Sequence, residues 1–233
     1  MSIYLLINLL TILFPLILSF DKKVAYYKNI LPVIFSMFIV GSAYIIWDSI
    51  AVNRGDWSFN PEFVTNITLF NLPIDEFLFF ITVPYSCIFI YEVIKSYSME
   101  KILGPGRIII TLLTLILITL AFIYRDQYYT FTVILFTISF LIVALFFFSS
   151  LLKSRIYWLT IIISYLPFII VNYFLTSLPV VEYNHKAIWG IRIMTIPMED
   201  FFYSYSLISF WLLVYLMFQK FLSLKSSHNS YAK

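Results

Sequence analysis

Apolar runs long enough to cross a bilayer dominate the chain. Seven stretches carry almost no charge: residues 2–20, 29–47, 73–94, 107–124, 129–152, 157–178 and 197–219. A membrane helix needs about 20 mostly apolar residues, so each stretch predicts one spanning helix. A barrel would instead show alternating strands of about 10 residues. The prediction is therefore an all-α integral membrane bundle of seven transmembrane helices. Short polar connectors punctuate the runs: Asp21-Lys22-Lys23, Gly104-Pro105-Gly106, Arg125-Asp126 and Lys153-Ser154-Arg155. Two connectors, 48–72 and 179–196, are longer, and both hold aromatics suited to the membrane interface: Trp57 and Phe59, Tyr183 and Trp189. The first stretch has no basic residues ahead of it and no small-residue cleavage site behind it. It is expected to be retained rather than removed as a signal peptide.

Composition agrees with the pattern. Of 233 residues, 62% are hydrophobic and 12% charged, against about 25% charged in a soluble domain. The net charge of +3 is spread along the connectors and forms no dense basic cluster, which argues against a nucleic-acid partner. The lone Cys87 lies in an apolar run, and His185 and His228 are far apart, so neither an internal disulfide nor a metal site is expected.

The basic residues also predict orientation. Connectors one, three and five and the C-terminal tail hold eleven of them: Lys22, Lys23, Lys28, Lys95, Lys101, Arg107, Lys153, Arg155, Lys220, Lys225 and Lys233. The even connectors hold four: Arg54, Arg125, Lys186 and Arg192. The N-terminus is expected outside and the C-terminus in the cytoplasm.

An internal repeat underlies the helices. Pro73-Ile74-Asp75-Glu76-Phe77 and Pro197-Met198-Glu199-Asp200-Phe201 stand 124 residues apart. The same offset places Asp48 on Asn172, Phe59 on Tyr183 and Asn60 on Asn184. Residues 1–97 then form one three-helix repeat, 98–126 a linker with the fourth helix, and 127–233 the second repeat. An offset of four helices makes the repeats parallel, unlike the inverted repeats of many transporters. The two acidic motifs should lie at one depth, on the outer side, and a pseudo-two-fold axis along the membrane normal can bring them face to face.

Each motif suits a helix start. Proline fits the first helical position, and the carboxylates that follow sit where the helix dipole favours negative charge. Two well-made helix ends would be explanation enough for one motif. Two at matched depth, in a chain with twelve acids and flanked by Phe77, Leu78, Phe79 and Phe80 or by Phe201, Phe202 and Tyr203, suggest more. Ionisable groups near hydrocarbon are costly and usually functional. Four carboxyls grouped away from water are not all expected to ionise, because burial and like charge both favour the neutral form, although the helix terminus opposes this. A protonated carboxyl beside an ionised one is a general acid next to a base. In an apolar, aromatic cleft such a pair suits alkene protonation, rearrangement of a carbocation and return of a proton, with ring faces stabilising the cation.

At this point the sequence resembles a known family. Trp47-Asp48-Ser49-Ile50-Ala51-Val52, then Gly55-Asp56-Trp57-Ser58-Phe59-Asn60-Pro61, then Leu72-Pro73-Ile74-Asp75-Glu76-Phe77 are similar to the first half of the membrane-integral, non-flavin lycopene β-cyclases. Gly190-Ile191-Arg192-Ile193 and Ile196-Pro197-Met198-Glu199-Asp200-Phe201-Phe202-Tyr203 resemble the second. Asp75 stands where the family usually has Glu.

The resemblance implies closure of the ψ-ends of lycopene to β-ionone rings, an isomerisation of the intramolecular-lyase class. It implies that Asp75, Glu76, Glu199 and Asp200 are catalytic. Pro73, Pro197, Asp48, Asn172, Arg54 and Arg192 would support them, and Trp47, Trp57, Phe79, Phe80, Phe202 and Tyr203 would line the substrate cleft. Lycopene or a similar linear carotenoid and the lipid bilayer are the expected partners. A fused pair of halves should need no partner subunit, and no cofactor is expected, since no Gly-x-Gly-x-x-Gly occurs.

Several of these residues also have plainer readings. Asp48 and Asn172 can serve as helix-to-helix glue, Arg54 and Arg192 as solvated loop charges, and Glu92 as an interfacial partner of Lys95. Rival functions fit less well. A retinal pigment needs a buried Lys in the last helix, and residues 197–219 hold none. A membrane prenyltransferase needs Asp-x-x-x-Asp motifs, which are missing. A non-catalytic lipid carrier, or an enzyme acting on another carotenoid end group, stays open.

Overall fold

The computed structural model describes residues 1–231, with side chains as far as Lys225. Lys233 and the His228 side chain lie outside the described residues. All seven apolar stretches are helical. Helix α1 covers Ile3–Leu18. The second rod joins a 3₁₀ turn, Tyr26–Asn29, to α2 (Ile30–Ser36), a π turn (Met37–Gly41) and α3 (Ser42–Arg54). Then follow α4 (Ile74–Tyr97), α5 (Arg107–Ile123), α6 (Tyr128–Phe147), the short α7 (Ser149–Lys153), α8 (Arg155–Ser177) and α9 (Met198–Tyr231). Five of these rods are long and apolar enough to cross a membrane, while α1 and α5 are shorter apolar helices. Leu9, Phe14, Phe38, Ile46, Phe122 and Leu166 are exposed on the outside of the bundle. A surface of this kind requires lipid rather than water around it, and the protein is a mostly helical membrane protein.

The structure corrects three sequence expectations about boundaries. The second rod does not end at Trp47. It runs on to Arg54, where Gly55 adopts φ 82° and its N–H caps the Ala51 and Val52 carbonyls, a left-handed stop that glycine takes without strain. Asp48 is thus inside a helix. The stretch 129–152 is broken at Phe148, and Ser154 starts α8 by accepting from the Tyr157 N–H at 3.1 Å. Pro73 is not the first helical residue of α4. It is the extended N-cap, with φ −65° and ψ 150°, because its backbone is held in a strand. Asp75 and Glu76 follow as the second and third helical residues.

Among the described residues, six short strands shape the two long connectors. Strand β2 (Thr68–Leu69) pairs with β3 (Leu72–Pro73), and β5 (Arg192–Ile193) pairs with β6 (Ile196–Pro197). Each hairpin delivers the chain into an acidic helix start. The turns hold Phe70 and Asn71 at φ 51° and 62°, and Met194 at φ 58°. The Ile74 N–H donates to the Ile67 carbonyl at 2.9 Å, and Met198 to Ile191 at 2.9 Å. The two long connectors meet each other through β1 (Trp57–Phe59) and β4 (Val181–Tyr183), which pair Trp57 with Tyr183, Ser58 with Glu182 and Phe59 with Val181. A shift of 124 residues maps this ladder onto itself. The flanking bonds follow the same rule: Asn60 N–H to the Val180 carbonyl at 3.0 Å, and Asn184 N–H to the Asp56 carbonyl at 2.9 Å.

The helices interlock in the same sense. Helix α1 packs along α4, and α6 along α9. Helix α2 crosses to α9, while α8 crosses to α4. Each acidic helix is therefore flanked by a helix from its own part of the chain and one from the other. Helix α5 packs on α6 at the edge of the bundle.

Candidate active site

Successive helical residues point about 100° apart, so the two carboxyls of each motif leave the helix in different directions. The first acid turns toward the connector. Asp75 is fully buried and accepts from Ser2 Oγ at 2.7 Å, from the Thr65 N–H at 2.7 Å and from Thr65 Oγ1 at 2.5 Å. Glu199, also fully buried, accepts from Thr130 Oγ1 at 2.6 Å and from the Trp189 N–H at 2.5 Å, both at Oε1. Thr65 and Trp189 are again 124 apart. These two acids pin the loops that precede them.

The second acid of each motif turns inward. Glu76 and Asp200 line one cavity. Tyr4 donates to Glu76 Oε2 at 2.6 Å. Asp48 lines the same cavity, with its carboxyl close to that of Glu76. Tyr203 donates weakly to Asp48, at 3.3 and 3.4 Å. Tyr129 donates to Asp200 Oδ1 at 2.7 Å and Tyr183 to Oδ2 at 2.9 Å. Burial pushes the Tyr183 hydroxyl well above its ordinary range, the neighbouring Asp200 adds to this, and Arg192 opposes it. Tyr183 therefore stays a neutral donor. Away from this polar end the walls are mostly apolar, with Val83 and Ile90 from α4, Val171 from α8, and Leu207, Ile208 and Trp211 from α9, interrupted by the hydroxyls of Thr11, Ser86, Ser164 and Ser204.

The expected group of four carboxyls is thus divided, with two in the cavity and two in the loops. Among the expected lining residues, Trp57, Phe79 and Tyr203 face the cavity, as do Asp48 and Asn172. Trp47, Phe80 and Phe202 do not. Trp47 is stacked in the core on Phe136, with ring centroids 4.9 Å apart. Phe80 is turned toward Gly41. Phe202 meets Trp189 edge-on at 6.0 Å. Asn172 spends its amide on the Phe168 carbonyl at 3.1 Å. Arg54 pairs with Asp56 and lies over the Tyr128 ring at 4.7 Å. Arg192 donates to the Thr195 carbonyl at 2.6 Å and lies 5.8 Å from the Tyr183 ring. Pro73 and Pro197 end their hairpins and aim the acids. Glu92 pairs with Lys95 at 3.0 Å as expected, and also accepts from Tyr215 at 2.8 Å.

Sequence reading missed the tyrosines that hold the inner acids. Tyr183 was in view through its register with Phe59, but its hydroxyl has no counterpart there. Tyr4 and Tyr129 are 125 apart, one position out of the repeat, among 18 tyrosines.

The lycopene cyclase family model matches residues 1–94 and 126–218, most of the chain. The chain belongs to the lycopene cyclase family. No curated protein and no solved structure matches it. The two matched segments each contain one acid-bearing hairpin and the helix it starts, and they leave out 95–125, where α5 lies. Membership in the lycopene cyclase family supports carotenoid cyclisation as the chemistry. The cavity offers what that needs: carboxyls at one end of an apolar, aromatic-lined space that a lipid-soluble polyene can share with the bilayer.

Proposed function

We propose that this protein is a lycopene β-cyclase, closing the ψ-ends of lycopene first to γ-carotene and then to β-carotene. The observation that carries this reading is that Glu76 and Asp200, one from each acidic motif, line the same apolar cavity. A carboxylic acid there protonates the terminal double bond, the cation closes onto the inner double bond, and a carboxylate removes a ring proton. Atoms and electrons balance, since one proton enters and one leaves. Trp57, Phe79 and Tyr203 supply ring faces to the passing cation. Asp75 and Glu199 serve this chemistry by fixing the loops.

The length of the cavity's lining along α4 matches one half of the substrate. Its lining on α4 runs from Glu76 to Ile90, ~21 Å of helix at 1.5 Å per residue. An extended chain advances about 1.2 Å per bond, so this length takes roughly 17 chain carbons, near half of the lycopene main chain. The far half stays in lipid. Pro167 and Phe168, at the exposed side of the cavity on α8, mark where it leaves. Cyclising both ends then takes two separate bindings.

In this reading all seven apolar helices span the membrane as two parallel three-helix repeats joined by α5, with the acidic ends outside. A C-terminal reporter should be active only on the cytoplasmic side; one active only outside would reverse the orientation. The function is tested by expression in a bacterium that accumulates lycopene. Loss of lycopene with appearance of β-carotene on chromatography is expected. Unchanged lycopene with the protein inserted would overturn the assignment.

A further inference from the structure

The two inner acids keep different company, and we infer from this which one gives the proton and which takes it back. The inference rests on the cyclase reading above. Glu76 has a second carboxyl against it, that of Asp48 from α3. Both are buried. They line the same cavity, and an ionised carboxylate only accepts hydrogen bonds, so two carboxyls can meet there only with a proton on one of them. The other neighbours are hydroxyl donors, Tyr4 from α1 on Glu76 and Tyr203 from α9 on Asp48, and among the described residues no cation is bonded to either acid. A proton is therefore resident on the Glu76–Asp48 pair.

Among the described residues Asp200 has no carboxyl partner of this kind. At the repeat position of Asp48 stands Asn172, whose amide is directed to the Phe168 carbonyl. Both Asp200 oxygens are already taken by O–H donors, Tyr129 on one and Tyr183 on the other. That is the pattern of a carboxylate held by charge-assisted bonds. Arg192 lies beyond the Tyr183 ring, and the adjacent Glu199 is directed to the loop.

The structure thus assigns Asp48 as a positioning residue that keeps a proton on Glu76, with Glu76 as the acid and Asp200 as the base. The Glu76 O–H breaks and a C–H bond forms at the substrate's terminal double bond. The inner double bond's electron pair closes the ring. Asp200 then takes a ring proton, and that C–H pair becomes the ring double bond. Exchange of one proton with water returns the pair and Asp200 to their starting states.

The test uses the full chain in liposomes loaded with lycopene, as wild type, Asp48→Asn, Asp48→Glu and Asp200→Asn. Asp48→Asn is expected to bind lycopene, seen by its visible absorption, but to close rings about 100-fold more slowly. Asp48→Glu should recover most of that loss. Asp200→Asn should still close rings, more slowly, with the ring double bond displaced from the β position because another group takes the proton. Full ring closure by Asp48→Asn would overturn the assignment. So would the reverse pattern, no rings from Asp200→Asn and displaced double bonds from Asp48→Asn. If Asp48→Asn fails to insert, the Asp48→Glu and Asp200→Asn results decide. Wild-type protein that closes no ring would instead overturn the cyclase reading.

Discussion

Glu76→Gln is expected to leave the protein inserted and folded while slowing ring closure about 1000-fold, within the range that general acid catalysis supplies. Gln keeps the length and shape of Glu. Its amide oxygen can still accept from Tyr4, now 2.6 Å from Glu76 Oε2, and its NH₂ can donate to Asp48. The packing of α1 against α4 is therefore preserved. What is lost is the proton facing the cavity. Lycopene consumption in liposomes measures the loss, and size-exclusion chromatography in detergent checks the fold. Activity within tenfold of wild type would remove Glu76 from the chemistry.

Asp75→Ala should act in the opposite way, on the fold first and on activity as a consequence. The substitution strands three donors, Ser2 Oγ and the N–H and Oγ1 of Thr65, beside a site with no solvent exposure. Hydrogen bonds to a charged group contribute about 1.5–3 kcal/mol each, and unpaired buried groups cost a similar amount, so a loss of about 3–5 kcal/mol is expected. The loop it releases also carries Phe63, whose carbonyl accepts from the Tyr4 N–H at 3.1 Å. Tyr4, the donor to Glu76, would be displaced with it. Thermal unfolding in detergent should show a lowered midpoint for Asp75→Ala and a near-normal one for Glu76→Gln. An unchanged midpoint for Asp75→Ala would show that the loop does not depend on this anchor. The anchoring position also gives a reason for the shorter side chain here. Asp75 meets Thr65 and Ser2 within 2.5–2.7 Å, so the longer reach of the Glu that the resemblance leads one to expect here is not needed.

The helical bundle was readable from the apolar runs because lipid imposes length and composition directly. The repeat was readable because the Pro-x-acid-acid motifs survive in both halves at one offset. The self-mapping β1–β4 ladder follows the same offset, but pairing between two connectors more than 120 residues apart leaves no mark in either one. The division of labour within each motif was not legible. Asp75 and Glu76 look equivalent in sequence, and only the placement of α1 and the connector decides which faces the cavity. Asp48 was visible as a polar residue in an apolar helix, yet its contact with Glu76 joins α3 to α4 and depends on tertiary packing. Trp47 and Phe80 were expected at the cleft because they flank the motifs, but their faces of α3 and α4 meet other helices. The tyrosine donors were hidden by their number and by the one-residue slip between Tyr4 and Tyr129.

The central claim is that Glu76 and Asp200 exchange protons with a carotenoid end group in one cavity. Its most direct test is to supply lycopene to the purified protein in liposomes made with D₂O and to weigh the product by mass spectrometry. Each closure takes one proton from an acid in exchange with solvent, so β-carotene carrying one deuterium per ring is the expected product. Unchanged lycopene from correctly inserted protein, or rings formed without solvent deuterium, would contradict the claim.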